Sequence, residues 1–145
     1  MTEAYETLNK ILVHLFNDIM AIEQRALITG EFKDISYNDM HIIEAIGIQD
    51  PKNMSSIAKA LSVTTGTLTI AVNGLVRKGY VNRVRSEEDR RVVLISLTDK
   101  GRRAYQHHAQ FHDKMIKAVS ADMEEGEMEV LVRSLKKLNK FFKDY

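Results

Sequence analysis

"TTGTLTIAVNGLVRKGYV", residues 64–81, is the stretch that decides how the rest of the chain is read. Its Thr, Ile and Val residues favour strands by local propensity. Its apolar spacing is helical: Leu68, Val72, Leu75 and Val76 fall on one face at steps of four, three and one. Thr64 is placed to cap this helix and Gly79 to end it. The opposite stripe carries Thr65, Gly66, Thr67, Thr69, Ile70 and Asn73, and stays uncharged until Arg77. A merely solvated face would carry Glu and Lys. Hydroxyls on Thr65, Thr67 and Thr69 can bond base edges, the Thr and Ile70 methyls suit a thymine methyl, and Asn73 can pair with adenine through both atoms of its amide. Arg77 suits a phosphate. The competing reading is a Thr-rich helix packed on a partner protein.

Upstream, Asn53 can cap a helix over residues 54–61, "MSSIAKAL". Downstream, the period changes. "YVNRV" (80–84) and "RVVLISL" (91–97) are β-branched runs around a charged tip, as expected for a hairpin. Two helices, a tight turn and a hairpin make a winged helix-turn-helix. From Arg77 to Arg103 there are nine basic residues and four acidic ones, although the whole chain has a net charge of only +1. A basic segment on an otherwise acidic chain is the electrostatic footprint of a nucleic-acid binder.

The ends read as long helices. Leu8, Ile11, Leu12, Leu15, Phe16, Ile19, Met20 and Ile22 recur at three- and four-residue steps between Tyr5 and Ile28. Ser36 and Asp39 form a capping-box pattern ahead of a short helix with Met40, Ile43 and Ile46, ended by Gly47. Thr98 caps a helix running to about Val119, and a last helix starts near Glu125. The expected fold is mainly α with a small β-hairpin wing. Residues 1–145 form one unit, with a winged helix-turn-helix lobe over 34–100 and dimerisation helices from 1–30 and 99–145. Terminal amphipathic helices with more apolar surface than a small domain can cover predict a homodimer.

Composition narrows the function. The 145 residues include no cysteine, which removes disulfides, thiolate catalysis and Cys-based zinc sites. No signal peptide or membrane span is visible, so a cytoplasmic protein without membrane contact is expected. No catalytic motif is present and no cofactor is expected, so the reading is not an enzyme.

"IAKALSVTTGTLTIAVNGLVRKGYVNRVRSEEDRRVVLISLTDKGR", residues 57–102, resembles the MarR family of bacterial transcription regulators. The matching pieces are the helix-turn-helix, the "RKGYV" entry into the wing, and "DRRVVLISLT", which fits the Asp-x-Arg wing motif followed by Leu-Thr. The resemblance implies a homodimer on pseudo-palindromic, A·T-rich double-stranded DNA. It also implies that Arg91 enters the minor groove and Asp89 orients it, while Arg85 and Arg90 suit phosphates. "FKDISYNDMHIIEAIG" (32–47) with "RVRSEEDRRVV" (83–93) is similar to the FabT-type subgroup, which represses fatty-acid biosynthesis genes with acyl-acyl carrier protein as corepressor. An effector site between dimerisation helices and lobe would draw on Phe16, Ile19, Met20, Met40, Ile43, Phe111 and Met115; Met adapts well to an acyl chain. Three alternatives stand beside this: another small ligand; zinc, for which His108 and His112 lie four apart on one helix; and a winged-helix protein-interaction module. No metal site is expected.

Overall fold

Four helices begin where a side chain meets a backbone N–H that the helix itself leaves unpaired. Ser36 Oγ accepts from Asp39 N and Asp39 Oδ2 accepts from Ser36 N, each at 3.0 Å, closing the capping box of α2 (Tyr37–Ile46). Asn53 Oδ1 accepts from Ser56 N at 2.8 Å and starts α3 (Met54–Leu61). Thr64 Oγ1 accepts from Thr67 N at 3.2 Å and starts α4 (Thr65–Arg77). Thr98 Oγ1 accepts from Gly101 N at 3.1 Å and starts α5 (Asp99–Ser120). Each such cap is worth about 1 kcal/mol.

The computed structural model describes residues 2–27 and 29–145; Ile28, the expected end of the first helix, lies outside the described residues. The remaining elements are α1 (Glu3–Leu27), a 3-10 turn (Gly30–Phe32), β1 (Lys52–Asn53), β2 (Val81–Arg85), β3 (Val93–Leu97) and α6 (Glu127–Asp144). The chain divides into two compact units, residues 1–111 and 112–145.

In the first unit, helical packing overrides the strand propensity of residues 64–77. Leu68, Val72 and Leu75 are each no more than 1% exposed. Burial contributes about 1.5–3 kcal/mol per side chain, whereas each β-branched residue costs a helix only about 0.7 kcal/mol or less. Packing therefore wins. The three side chains join Ile43, Ile46, Ile57, Tyr80, Ile95 and Ala104 in one core. Ser62, left-handed at φ 55°, makes the tight turn from α3 to α4. Gly79, at φ 87°, turns the chain out of α4 into β2, a conformation a side chain would strain.

The wing is larger than the expected hairpin. Its sheet has three strands in the order β1-β3-β2, both pairings antiparallel. β1 is two residues long, too short for any alternation to show in sequence, and pairs Lys52 with Ile95 and Asn53 with Leu94. It covers the outer edge of β3 and locks the foot of the wing to the start of α3.

Two anchors hold the wing from the other side. Tyr80, fully buried, donates its hydroxyl to Asp34 Oδ1 at 2.6 Å. Gly101, in the first turn of α5, lies so close to the residue ahead of β2 that a Cβ there would stand 2.1 Å from the Tyr80 carbonyl oxygen.

Each unit leaves an apolar helix face bare. On α1 only the C-terminal end is buried, at Glu23 and Leu27. Tyr5, Leu8, Ile11, Leu15, Phe16, Met20 and Ile22 are between 44% and 59% exposed. In the second unit, Val130, Val132, Leu135, Phe141 and Phe142 of α6 are exposed. Among the described residues, no helix is long and apolar enough to cross a membrane.

Candidate nucleic-acid interface

The outward stripe of α4 is open. Thr65, Thr67 and Arg77 are exposed, Thr69 and Asn73 half-buried, and Ile70 is 76% exposed. An aliphatic side chain that bare, one helical face away from a full core, has no packing role of its own. Two of the threonines are partly committed. Thr69 donates its hydroxyl to the Thr65 carbonyl at 2.7 Å, so it presents acceptor lone pairs outward. Thr67 receives a hydrogen bond from the Thr64 hydroxyl at 2.9 Å.

Asn73 is engaged within the chain. Its Oδ1 accepts a hydrogen bond from Arg83 Nη1, across from β2. Arginine has no acceptor, so the amide orientation is fixed by chemistry: oxygen toward Arg83, NH2 away.

The wing tip is ordered by its own hydrogen bonds. Ser86 N donates to Val92 O and Val92 N to Asp89 O, each at 2.9 Å. Asp89 Oδ1 accepts from Arg91 N and Nε, and Oδ2 from Arg91 Nη2, all at 3.1 Å. This two-pronged grip is the pairing read from the sequence. It holds the Asp89 carboxyl below its ordinary range, chiefly through the Arg91 side chain and then the Arg91 backbone N–H. Arg91 nevertheless remains 91% exposed. An exposed pair adds little to stability; its effect here is to fix a guanidinium in one pose. Arg85 Nη1 donates to the Arg90 carbonyl at 2.8 Å, tying strand to tip. Arg90, Glu87 and Glu88 face solvent.

Not every cation in the basic segment faces outward. Lys78 pairs with Asp39 at 3.7 Å, Lys100 with Asp34 at 3.9 Å, and Arg103 with Glu31 at 3.1 Å. Of the other six, five are on α4 and the wing, Arg77, Arg83, Arg85, Arg90 and Arg91, and Arg102 is exposed on α5. Arg83 and Arg91 both line a cleft of about 280 Å³ with Asn53, Ser55, Thr69 and Val93. Helix, strand and tip thus present one continuous donor-rich surface. Arg83 escaped the sequence reading as a site residue because its meaning depends on the contact with Asn73.

The expected effector residues are dispersed. Met40 and Ile43 are sealed in the core at 1% and 0% exposure. Phe16 and Met20 lie bare on α1, Ile19 is half-buried there, and Phe111 and Met115 are half-buried on α5. None of the seven lines the cleft of about 220 Å³ between α2 and the α3–α4 turn, which is formed by Asn38, His41, Ile42, Leu61, Val63, Thr67, Leu68 and Ala71.

One buried polar network was missed. Glu23 and His108 are each 3% exposed, with His108 Nε2 2.6 Å from Glu23 Oε1. Tyr37 donates its hydroxyl to Glu23 Oε2 at 2.7 Å, and His108 Nδ1 lies 3.5 Å from Glu44. The signal was present in the spacing: Glu23 falls on the same α1 stripe as Phe16, Ile19 and Leu27, an acid where an apolar residue belongs. The network ties α1, α2 and α5 together inside the first unit. Burial, then the bond to Glu23, then the negative charge of Glu23 and Glu44, push the Tyr37 hydroxyl from 10.0 up to about 12. A raised pKa means that the folded state holds the proton more tightly, so stability is intact below pH 10 and falls as pH rises toward 12. Tyr37→Phe is expected to flatten that part of the stability–pH curve, measured by denaturant unfolding across the alkaline range. An unchanged slope would show that Tyr37 is not the group titrating there.

The chain has relatives of known class. The family model described as transcriptional regulator SarA/Rot matches residues 28–108. Over 103 residues the chain is 32% identical to the SarZ regulator of Staphylococcus haemolyticus, covering 71% of this chain and 69% of that protein. It is 35% identical over 75 residues to the YpoP regulator of Bacillus subtilis, covering 52% of this chain and about half, 53%, of YpoP. Among solved structures, Streptococcus pneumoniae FabT in complex with DNA has a TM-score of 0.88 at 42% identity, covering 97% of this chain and 98% of that one. The apo form of MarR from E. coli has a TM-score of 0.60 at 26% identity, covering 88% and 96%.

Proposed function

Since the chain belongs to the SarA/Rot family of transcriptional regulators, a DNA-binding family of MarR-type winged-helix fold, we propose that it is a cytoplasmic homodimeric repressor of fatty-acid biosynthesis genes. Its corepressor in this reading is acyl-acyl carrier protein. It is a regulator and not an enzyme. The observation that carries the subgroup reading is the likeness to FabT over nearly the full length of both chains.

Each protomer would lay α4 in a major groove and the wing in the flanking minor groove. Thr65, Thr67, Thr69 and Ile70 would face base edges, Arg77, Arg85 and Arg90 would meet phosphates, and Arg91, steadied by Asp89, would enter the minor groove. A narrow A·T-rich minor groove concentrates negative potential and draws in such an arginine. The bare apolar faces of α1 and α6 support the dimer, with residues 1–30 and 99–145 as its helices. Half-sites about 10 base pairs apart follow from two such lobes on one face of the duplex. The acyl chain would be taken up among residues of the first unit: Phe16, Ile19, Met20 and Phe111, and, from its core, Met40 and Ile43. Core burial of the last two supports a supporting role rather than first contact.

The test is DNA binding with and without carrier protein loaded with long acyl chains. Tighter binding is expected, by about five- to 150-fold if the coupling is of ordinary size. Affinity unchanged by the loaded carrier at saturating concentration removes the corepressor and leaves the DNA-binding reading standing.

A further inference from the structure

We propose that Arg83 and Asn73 act as one reading head for guanine, and that Arg83 is the residue that denies this position to adenine. The inference rests on the DNA-binding reading above and deepens it.

The argument is one of donors and acceptors. Free asparagine reads adenine by accepting from N6–H with its oxygen while donating to N7 with its NH2. Here one of the two lone pairs of that oxygen is already taken by Arg83 Nη1, which sets a guanidinium beside it. An adenine placed against Asn73 would bring its N6 amino group, a donor, against a guanidinium that consists only of donors. That meeting is repulsive, and it weakens any bond from N6–H to the oxygen's remaining lone pair. Guanine offers the opposite edge, with acceptors at both N7 and O6. The pair answers it with the Asn73 NH2 and the remaining guanidinium N–H groups, of which arginine has five. Asn73 is half-buried and Arg83 exposed, so the amide is the fixed partner and the guanidinium the open one.

The surroundings agree. Arg83 lines the cleft shared by α4 and the wing, where Arg91 adds another cation. The Arg83 backbone is held in β2 opposite Ile95, a fully buried residue, so the stem that carries the guanidinium starts from a rigid strand. A phosphate contact alone would need no bond to Asn73. That bond fixes a flexible side chain at the side of the recognition helix, as base reading requires and charge neutralisation does not.

The experiment measures binding to a duplex in which each half-site position carries all four bases in turn. The proteins are wild type, Arg83→Met, Arg83→Lys and Asn73→Ala, and thermal unfolding is recorded for each. The wild type is expected to prefer guanine to adenine at one position per half-site by about tenfold or more. Arg83→Met, with Asn73 released, is expected to shift that position toward adenine and to leave preferences elsewhere in place. Arg83→Lys keeps the charge but loses the planar fork, so its guanine preference should fall while binding to random DNA is retained. Asn73→Ala should weaken the same position and no other.

The proposal is overturned if the wild type prefers adenine where Asn73→Ala acts. It is equally overturned if Arg83→Met weakens every sequence alike while unfolding as the wild type does. Failure of the wild type to bind any duplex in a salt-dependent way would instead overturn the DNA-binding reading beneath it.

Discussion

Arg91→Ala is expected to lower affinity for operator DNA by about a hundredfold or more. A hydrogen bond to a charged group is worth about 1.5–3 kcal/mol, and a dimer loses one such wing contact on each side. Arg91 has little else to lose: it is 91% exposed and it pairs with the half-buried Asp89. Folding should therefore be unaffected, and the whole effect should appear in binding and in a weakened preference for A·T pairs beside the half-site. Asp89→Asn separates pose from charge. It keeps the guanidinium but loosens the two-pronged grip made through Oδ1 and Oδ2, so a smaller loss, of a few-fold, is expected. Operator affinity unchanged in Arg91→Ala would remove the wing from the interface.

Gly101→Ala is expected to destabilise the first unit by about 3 kcal/mol or more, against the rule that alanine improves a helix. Propensity alone predicts a gain of about 1 kcal/mol. The structure predicts the reverse, because the new Cβ would sit 2.1 Å from the Tyr80 carbonyl oxygen and 3.2 Å from the Leu97 side chain. The obstacle is backbone and cannot rotate aside. That same carbonyl accepts from Thr98 N at 3.0 Å, so any retreat breaks the bond joining wing and α5. Overpacking against fixed backbone lies at the severe end of single substitutions. For a chain of this size, a loss of that order lowers the unfolding midpoint by about 6–12 °C. A midpoint equal to or above that of the wild type would show that helix and strand are not in this contact.

The parts of the fold legible in the sequence are those set by neighbours in the chain. Ser36, Asn53, Thr64 and Thr98 each bond a backbone N–H three residues on, and that spacing is visible in the residues themselves. The Asp89–Arg91 pair is two residues apart and could be read in the same way. What escaped depends on distant partners. β1 is defined by Ile95 and Leu94, more than forty positions later, and carries no pattern of its own. Glu23 meets His108 across 85 residues. Asn73, taken from sequence as an adenine reader, also meets an arginine ten residues away in another element. Met40 and Ile43 show a related limit: the spacing that builds a core is also the spacing that lines a pocket, and both residues are buried.

The measurement that bears most directly on the central claim is the salt dependence of binding to an A·T-rich palindromic duplex, compared with a scrambled duplex of equal length. If Arg77, Arg85 and Arg90 meet phosphates in both protomers, about six contacts release counterions, and log affinity should fall with log salt at a slope of about −5. The palindrome should stay far tighter than the scrambled duplex throughout, and Arg77→Ala should reduce the slope by about two in the dimer. Binding that ignores salt, or that is equal on both duplexes, would contradict the assignment of α4 and the wing as a sequence-reading DNA interface.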